Sequence, residues 1–221
     1  MGRRFLITGT DARVGKTTVG CALGFALRAR GIRVGVMKPI ESGCAEVGGE
    51  LQALDASALA LAAGSQLPME LICPYRYRSP LAPAAAADAD NLPPPDLTNI
   101  ARCFQEIAAQ NDAVLVESAG GLATPITWEA DFADLASQLS LEVIVVVGNR
   151  LGCLNAAVLT LAHAESNGLT IAGYILCDID NLSSPVMETN AASLMRLTST
   201  PYLGRMRYRE PLAKAIVEQL L

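Results

Sequence analysis

A chain of 221 residues is long enough for one well-buried domain and leaves little room for a second. We therefore predict a single domain over residues 1–221. Hydrophobic residues make up 51% of the chain and charged residues 18%, a balance that excludes a disordered protein. The net charge of -5 argues against broad binding to nucleic acid or to anionic membranes, but not against a local phosphate site.

Continuous apolar runs predict five strands, at residues 5–7, 34–37, 113–116, 143–147 and 171–176. Helical stretches alternate with them, at residues 17–30, 56–63, 97–109, 132–139, 155–166 and 187–197. This alternation predicts an α/β fold with a mainly parallel sheet and helices on both faces. Proline-rich segments bracket residues 84–87, which we expect to be irregular.

A glycine-containing loop, residues 9–17, follows the first strand. It ends in Gly-Lys-Thr, where the first predicted helix begins. Backbone N–H groups of such a loop converge on an anion, next to the positive end of the helix dipole. Lys16 can reach the β- and γ-phosphates, and the Thr17 hydroxyl can bind magnesium. Five residues separate Gly9 from Gly15, one more than usual, but the flanking strand and helix favour a phosphate loop over a surface turn. A nucleoside triphosphate is thus the first expected substrate.

Two other predicted strands also end in charged residues. Lys38 follows residues 34–37 and Glu117 follows residues 113–116. Because the carboxyl ends of parallel strands share one edge, we expect both side chains near Lys16. The chain has fourteen arginines and three lysines, so two lysines at strand ends suggest a need for compact charges near phosphate. Glu117 resembles the magnesium-orienting acid of P-loop proteins, whereas Asp55 fits a metal ligand or a helix N-cap equally well.

The remaining titratable residues predict no second chemistry. The six cysteines include no C-x-x-C pair and His163 is the only histidine, which argues against a zinc site. His163 falls inside a predicted helix, where a packing or surface role is expected. Reduced thiols and the lack of any apolar stretch near ~18 residues predict a cytoplasmic protein that does not span a membrane.

Five segments, in chain order, resemble the dethiobiotin synthetase family. Residues 9–17 resemble its phosphate loop G-T-D-x-x-V-G-K-T, and residues 38–43 its K-P-x-x-S-G motif. Residues 117–121 resemble E-G-A-G-G, residues 151–156 resemble L-G-C-I-N-H, and residues 201–204 resemble P-x-L-G. The resemblance implies a P-loop NTPase-like fold and an ATP- and Mg²⁺-dependent ligase. Such a ligase converts 7,8-diaminopelargonate and CO₂ (or bicarbonate) to dethiobiotin through a carbamate and a carbamic–phosphoric anhydride.

The resemblance also implies roles for individual residues. Lys16 and Lys38 would be catalytic. The ATP-binding residues would be Arg13, Val14, Gly15, Lys16, Thr17, Thr18, Asp55, Glu117, Ser118, Ala119, Gly120, Cys177, Asp178 and Arg207. Thr17, Asp55 and Glu117 would bind Mg²⁺. Ser42 would contact the diamine, and Leu151, Gly152, Cys153 and Asn155 would bind the substrate carboxylate of the neighbouring subunit in a homodimer.

Several positions depart from the family pattern. Arg13 stands where the family often has an acid, and Ala84 and Ala156 stand where it has histidines. Cys177 replaces an Asn whose amide offers both a donor and an acceptor, so we predict a looser nucleotide preference. Two other classes remain open: a related P-loop amide ligase, which is generally larger, and a partitioning-type switch ATPase. The switch class has a second lysine early in its loop, and residues 9–14 contain none.

Overall fold

The computed structural model describes residues 2–212 and 214–220. Its strands are β1 (Arg3–Gly9), β2 (Val34–Met37), β3 (Ile40–Ser42), β4 (Ala45–Val47), β5 (Glu50–Gln52), β6 (Tyr75–Tyr77), β7 (Ala113–Gly121), β8 (Glu142–Gly148), β9 (Ile171–Cys177) and β10 (Tyr202–Met206). Its helices are α1 (Lys16–Arg28), α2 (Leu54–Ala63), α3 (Met69–Ile72), α4 (Pro83–Asp90), α5 (Leu97–Ala108), α6 (Phe132–Gln138), α7 (Cys153–Ser166), α8 (Pro185–Leu197) and α9 (Lys214–Gln219).

The central sheet has six parallel strands in the order β10-β9-β8-β1-β7-β2. Its strands are apolar on both sides because helices cover both faces. Phe5 and Ile7 pack with α1, α2 and α9 on one face, whereas Leu6 between them packs with α5, α6, α7 and α8 on the other. This alternation follows from the two-residue period of a strand. The predicted α/β class is therefore confirmed.

One prediction about local structure was wrong, and one strand of the central sheet was missed. Residues 84–87, expected to be irregular, lie in α4, where Pro83 occupies the first turn and Asn91 ends the helix in the left-handed conformation. Proline suits that position because its missing N–H has no partner there in any helix, and alanine has the highest helix propensity. Strand β10 was not predicted, because Gly204 and Arg205 interrupt its apolar pattern at the sheet edge.

The strand order creates a crevice at the carboxyl edge of the sheet. From the central strand β1 the chain goes first to β2 and β7 on one side, and later to β8, β9 and β10 on the other. The connections therefore diverge on either side of β1, and ligands bind at such points in open α/β sheets. Within the described residues, no helix combines the length and apolarity needed to cross a membrane.

Candidate active site

The phosphate loop, residues 9–17, borders a cavity of about 1500 Å³, here called the main cavity. Gly15 adopts a φ of 97°, a conformation that favours glycine, and helix α1 begins at the next residue. A Cβ atom at Gly15 would stand 2.4 Å from Cys177 Sγ, so the loop lies directly on the end of β9. The N-terminal N–H groups of α1 have no side-chain cap and are available to an anion.

Strand periodicity brings Lys38 and Glu117 to the same face of the sheet as α1. Val34 and Val36 pack on that face, and Lys38 continues their alternation. Ala113 and Leu115 pack on that face as well. Glu117, two residues further along β7, continues the same alternation. The two side chains thus meet next to the start of α1, as the sequence predicted.

Glu117 links Lys38 to the phosphate loop. The Lys38 ammonium donates to Glu117 Oε1 at 2.5 Å and to the Ser118 carbonyl oxygen at 3.0 Å. The Thr17 hydroxyl donates to the same Glu117 Oε1 at 2.9 Å. Burial alone would lower the pKa of Lys38, but the charges of Glu117 and Asp55 outweigh it and raise that pKa. Lys38 is therefore charged, and its two hydrogen bonds to described residues leave one N–H for a ligand.

Lys16 is the second buried ammonium of the main cavity. It is only 6% exposed and donates to the Asp11 carbonyl oxygen at 2.9 Å. Burial, followed by the nearby charge of Lys38, lowers the pKa of Lys16 to about 8. An incoming anion would offset both causes, so this position favours binding of a phosphate group.

The oxygen atoms around Glu117 suit a magnesium ion. Glu117 Oε2 is buried and has no hydrogen-bond partner among the described residues, which costs free energy unless a cation or water joins it. The Thr17 hydroxyl lies beside it, and the half-exposed Asp55 carboxylate also lines the main cavity. No group of three His, Cys, Asp or Glu side chains among residues 2–212 and 214–220 could hold a metal alone. Mg²⁺ commonly needs only one or two carboxylates together with phosphate oxygens.

Asp55 is not the N-cap of α2, so that interpretation was wrong. The N-cap is Ala53, whose side chain cannot accept a hydrogen bond, and Asp55 lies within the first turn. The Asp55 carboxylate instead approaches the Lys38 ammonium, with 3.4 Å between Oδ2 and Nζ. The backbone N–H groups of Asp55 and Ala56 donate to the carboxylate of Glu41. Sequence reasoning assigned Glu41 no role, because Asp55 itself preceded the predicted helix 56–63 as a possible N-cap and no local pattern points to a cap from Glu41.

Most of the other predicted site residues also line the main cavity. These are Arg13, Thr18, Ser42, Ala119, Gly120, Cys177, Asp178 and Arg207. Two predicted ATP-binding side chains do not: Val14 is buried, and Ser118 is buried with its hydroxyl donating to the Gly120 carbonyl oxygen. Only the backbone of these two residues can serve a ligand.

A polar network that the sequence did not reveal surrounds Asp178. Its carboxylate accepts from Arg205 Nε at 3.0 Å and from Asn149 Nδ2 at 2.8 Å. Arg205 also donates to Glu188, and Asn190 donates to the oxygen of Asn149. These residues come from three strand ends and α8, so no local pattern marks them. Asp178 is thus largely engaged by the protein itself.

Residues 151–153 lie apart from the main cavity. Leu151, Gly152 and Cys153 line a second cavity of about 320 Å³, whose lining shares only Thr10 and Asp11 with that of the main cavity. Asn155, predicted with them, is exposed and lines neither cavity. The structure therefore does not bring these four residues together with Ser42 within one chain.

His163 borders the main cavity. It was interpreted as a packing or surface residue, and its side chain is 36% exposed at this position. Its Nε2 atom is buried, 3.5 Å from Asp131 Oδ2, and makes no hydrogen bond to a described residue. Helical periodicity alone could not show which face of α7 borders the cavity.

A phosphate loop between β1 and α1 of a parallel sheet, with an acid on the neighbouring strand, defines a P-loop NTPase. A sequence model of the AAA domain family matches residues 3–215. The solved structure of the septum site-determining protein MinD with Mg-ADP from Pyrococcus horikoshii is similar, with a TM-score of 0.56 at 16% identity. The aligned region covers 99% of this chain and 86% of the MinD chain. The cell division protein FtsY from Thermotoga maritima has a TM-score of 0.54 at 16% identity, over 100% and 68% of the two chains. These likenesses show the fold.

Similarity in sequence to known proteins shows the family as well as the fold. The ATP-dependent dethiobiotin synthetase BioD of Anaeromyxobacter dehalogenans is 43% identical over 211 residues, covering 96% of this chain and 88% of the relative. The protein of the same name from Janthinobacterium is 37% identical over 219 residues, covering 97% and 92%. The chain belongs to the dethiobiotin synthetase family. It is a ligase, and its function is ATP-dependent dethiobiotin synthesis.

Proposed function

We propose that this enzyme carboxylates 7,8-diaminopelargonate with CO₂ and closes the ring at the main cavity, with ATP and Mg²⁺. One amine attacks CO₂ and loses a proton, giving a carbamate. A carbamate oxygen then attacks the γ-phosphorus, ADP leaves, and a carbamic–phosphoric anhydride forms. The second amine attacks the carbonyl carbon, loses a proton and displaces phosphate to give the cyclic urea. Phosphorylation is needed because a carbamate oxygen is a poor leaving group.

The observation that carries this proposal is the convergence of Lys16 and Lys38 on one cavity from two separate strand ends. Lys16 would hold the β- and γ-phosphates with the two N–H bonds that Asp11 leaves free. Lys38 would stabilise the carbamate and the transferring phosphoryl group with its remaining N–H. Hydrogen bonds to the protein itself hold both ammonium groups, and such fixed positions are the condition for electrostatic catalysis.

Thr17, Asp55 and Glu117 would bind Mg²⁺, which neutralises phosphate charge when it is present. The unpartnered Glu117 Oε2 supports this assignment. The chain's own contribution is to keep these oxygens in place: Lys38 and Thr17 both bond Glu117 Oε1, which orients the carboxylate and leaves Oε2 for the cation.

The nucleotide would extend from the phosphate loop towards the ends of β9 and β10. Residues 13–18 would bind its phosphates, largely through backbone N–H groups. Residues 117–120 would border them. Cys177, Asp178 and Arg207 would border the base, since all three line the same cavity beyond Gly15.

The diamine would lie between Ser42 of one subunit and residues 151–155 of its partner in a homodimer. Exposed leucines support a homodimer: Leu151 is 82% exposed and Leu159 is 61% exposed. Both occur at or on α7, next to the two cavities. Six free cysteines agree with a reducing cytoplasm, the location that we propose.

The test is incorporation of labelled bicarbonate. The purified enzyme is incubated with labelled bicarbonate, 7,8-diaminopelargonate and Mg-ATP, and dethiobiotin is separated and counted. We expect one label per dethiobiotin and one phosphate released per ring, with neither product when the diamine is omitted. ATP hydrolysis that is indifferent to the diamine would support a switch ATPase instead, and an amidated product without label would support an amide ligase.

A further inference from the structure

Helix α2 takes its N-terminal cap from another part of the chain. Its N-cap residue Ala53 makes no side-chain hydrogen bond. Glu41 Oε1 accepts from the Asp55 N–H and Glu41 Oε2 accepts from the Ala56 N–H, both at 3.0 Å. A carboxylate in this position also interacts favourably with the positive end of the helix.

Glu41 is itself firmly held. It is only 7% exposed and lies in β3, between the fully buried Ile40 and the partly exposed Ser42. Strand β3 pairs in parallel with β6, and the Ser42 hydroxyl donates to the Leu81 carbonyl oxygen at 2.7 Å. Both carboxylate oxygens of Glu41 are occupied by α2, so the side chain cannot rotate without leaving the N–H groups of Asp55 and Ala56 unpaired.

The residue that Glu41 holds by its backbone is Asp55. The Asp55 carboxylate lines the main cavity and stands 3.4 Å from the Lys38 ammonium. No hydrogen bond from a described residue holds the Asp55 carboxylate, and its side chain is 45% exposed, so its own packing does not fix it. The start of α2 therefore determines where this carboxylate stands relative to Lys38 and Glu117.

We propose that Glu41 is a positioning residue for Asp55: by capping α2 it sets the place of the Asp55 carboxylate at the magnesium–phosphate site. This inference rests on the proposed roles of Asp55 and Mg²⁺. Glu41 borders the main cavity, but both of its carboxylate oxygens are bonded to α2, so it acts through Asp55. An ordinary helix cap would contribute to folding alone. Replacement of a positioning residue also changes the affinity of the site for magnesium and nucleotide.

The test compares Glu41→Gln with Asp96→Asn. Asp96 caps α5 by accepting from the Thr98 N–H at 2.8 Å, and it does not line the main cavity, so it is a matched cap away from the site. ATP affinity is measured by titration calorimetry with Mg²⁺ and again with a chelator, alongside thermal unfolding. We expect Glu41→Gln to weaken Mg-ATP binding about 10–100-fold, as for other residues that orient a metal ligand. ATP binding without metal should change less than about twofold.

Asp96→Asn should lower the unfolding temperature by a similar amount and leave both affinities unchanged. A Glu41→Gln protein that is merely less stable, with wild-type Mg-ATP affinity, would overturn the proposal. Should that variant not fold, Glu41→Asp is used instead, because it keeps the charge but is too short to reach both N–H groups.

A double-mutant cycle with Asp55→Asn separates the two roles of Glu41. If Glu41 acts through Asp55, Glu41→Gln should cost less than about twofold in Mg-ATP affinity when Asp55 is already replaced. An equal loss in both backgrounds would overturn the proposal. These binding measurements do not require dethiobiotin to form, so a wild-type enzyme that failed the bicarbonate assay yet showed this coupling would contradict the proposed reaction alone.

Discussion

The Lys38 ammonium and the Glu117 carboxylate form a buried ion pair, with 2.5 Å between Nζ and Oε1. Lys38 is 3% exposed and Glu117 is 1% exposed, and the two residues are 79 positions apart in the chain. Burying two charges costs desolvation free energy, which only close approach and further hydrogen bonds offset. The Ser118 carbonyl oxygen and the Thr17 hydroxyl supply those bonds. The pair thus holds the Lys38 ammonium next to the phosphate loop.

Replacing one member of this pair should destabilise the protein more than replacing both. Lys38→Met leaves the Glu117 carboxylate buried without its cation, which typically costs about 3–5 kcal/mol of unfolding free energy. Adding Glu117→Gln removes the unpaired charge and should recover much of that loss, while activity stays absent in both variants. Urea unfolding and the bicarbonate assay check this. Equal stability of the single and double variants would contradict the prediction.

Lys38→Arg should fail in catalysis although it keeps the charge. A planar guanidinium does not reproduce a compact ammonium between Glu117 and the Ser118 carbonyl oxygen. We expect kcat to fall about 10²-fold or more. Arg33→Lys, in the exposed ion pair with Asp112, is the control for a lysine–arginine exchange and should leave kcat unchanged. Full activity of Lys38→Arg would mean that Lys38 contributes only its charge.

Lys16→Ala should abolish turnover. Loss of one positioned electrostatic contact commonly costs about 10²–10³ in rate, and here ATP binding weakens as well. The third lysine of the chain, Lys214, is exposed in α9, and Lys214→Ala serves as the control with unchanged kinetics. A near-normal rate in Lys16→Ala, measured under saturating Mg-ATP, would remove Lys16 from the mechanism.

The lowered pKa of Lys16 predicts a pH dependence of ATP binding. The pKa is about 8 in the free enzyme, so the ammonium is charged below that pH and loses its proton above it. Bound phosphates raise the pKa, because they favour the charged form. The affinity for ATP should therefore change little between about pH 7 and 7.5, where the terminal phosphate of ATP is already ionised, and fall by up to about tenfold per pH unit above pH 8. Calorimetry without Mg²⁺ checks this, with Lys16→Ala as the pH-insensitive control; a flat wild-type profile would contradict it.

Nucleotide preference should be loose. Cys177 lies against Gly15 and offers no amide, and the Asp178 carboxylate is already engaged by Arg205 and Asn149. We expect kcat/KM for CTP and GTP within about tenfold of that for ATP, since only a site that hydrogen-bonds the base rejects analogues strongly. Cys177→Asn should shift the preference towards ATP, and Cys177→Ser, which lacks the paired amide groups, should not. Strict ATP preference in the wild type would contradict this prediction.

The sequence by itself determined the parts of the site that depend on local pattern. An apolar strand followed by Gly-Lys-Thr identified Lys16 and Thr17, and two more strands followed by charged residues identified Lys38 and Glu117. Because parallel strands end at one edge and alternate with a period of two residues, convergence of these side chains followed from chain order and parity alone.

Only the tertiary structure decided which partners the other residues have. Glu41 caps a helix that begins thirteen residues later, so no sequence pattern joins the two, and the role of Asp55 depended on that contact. Asp178 meets Arg205 and Asn149 because β8, β9 and β10 are neighbours in the sheet. The physical reason is that helix and strand periods specify the face on which a residue lies, whereas a side-chain hydrogen bond between distant segments depends on how those segments pack.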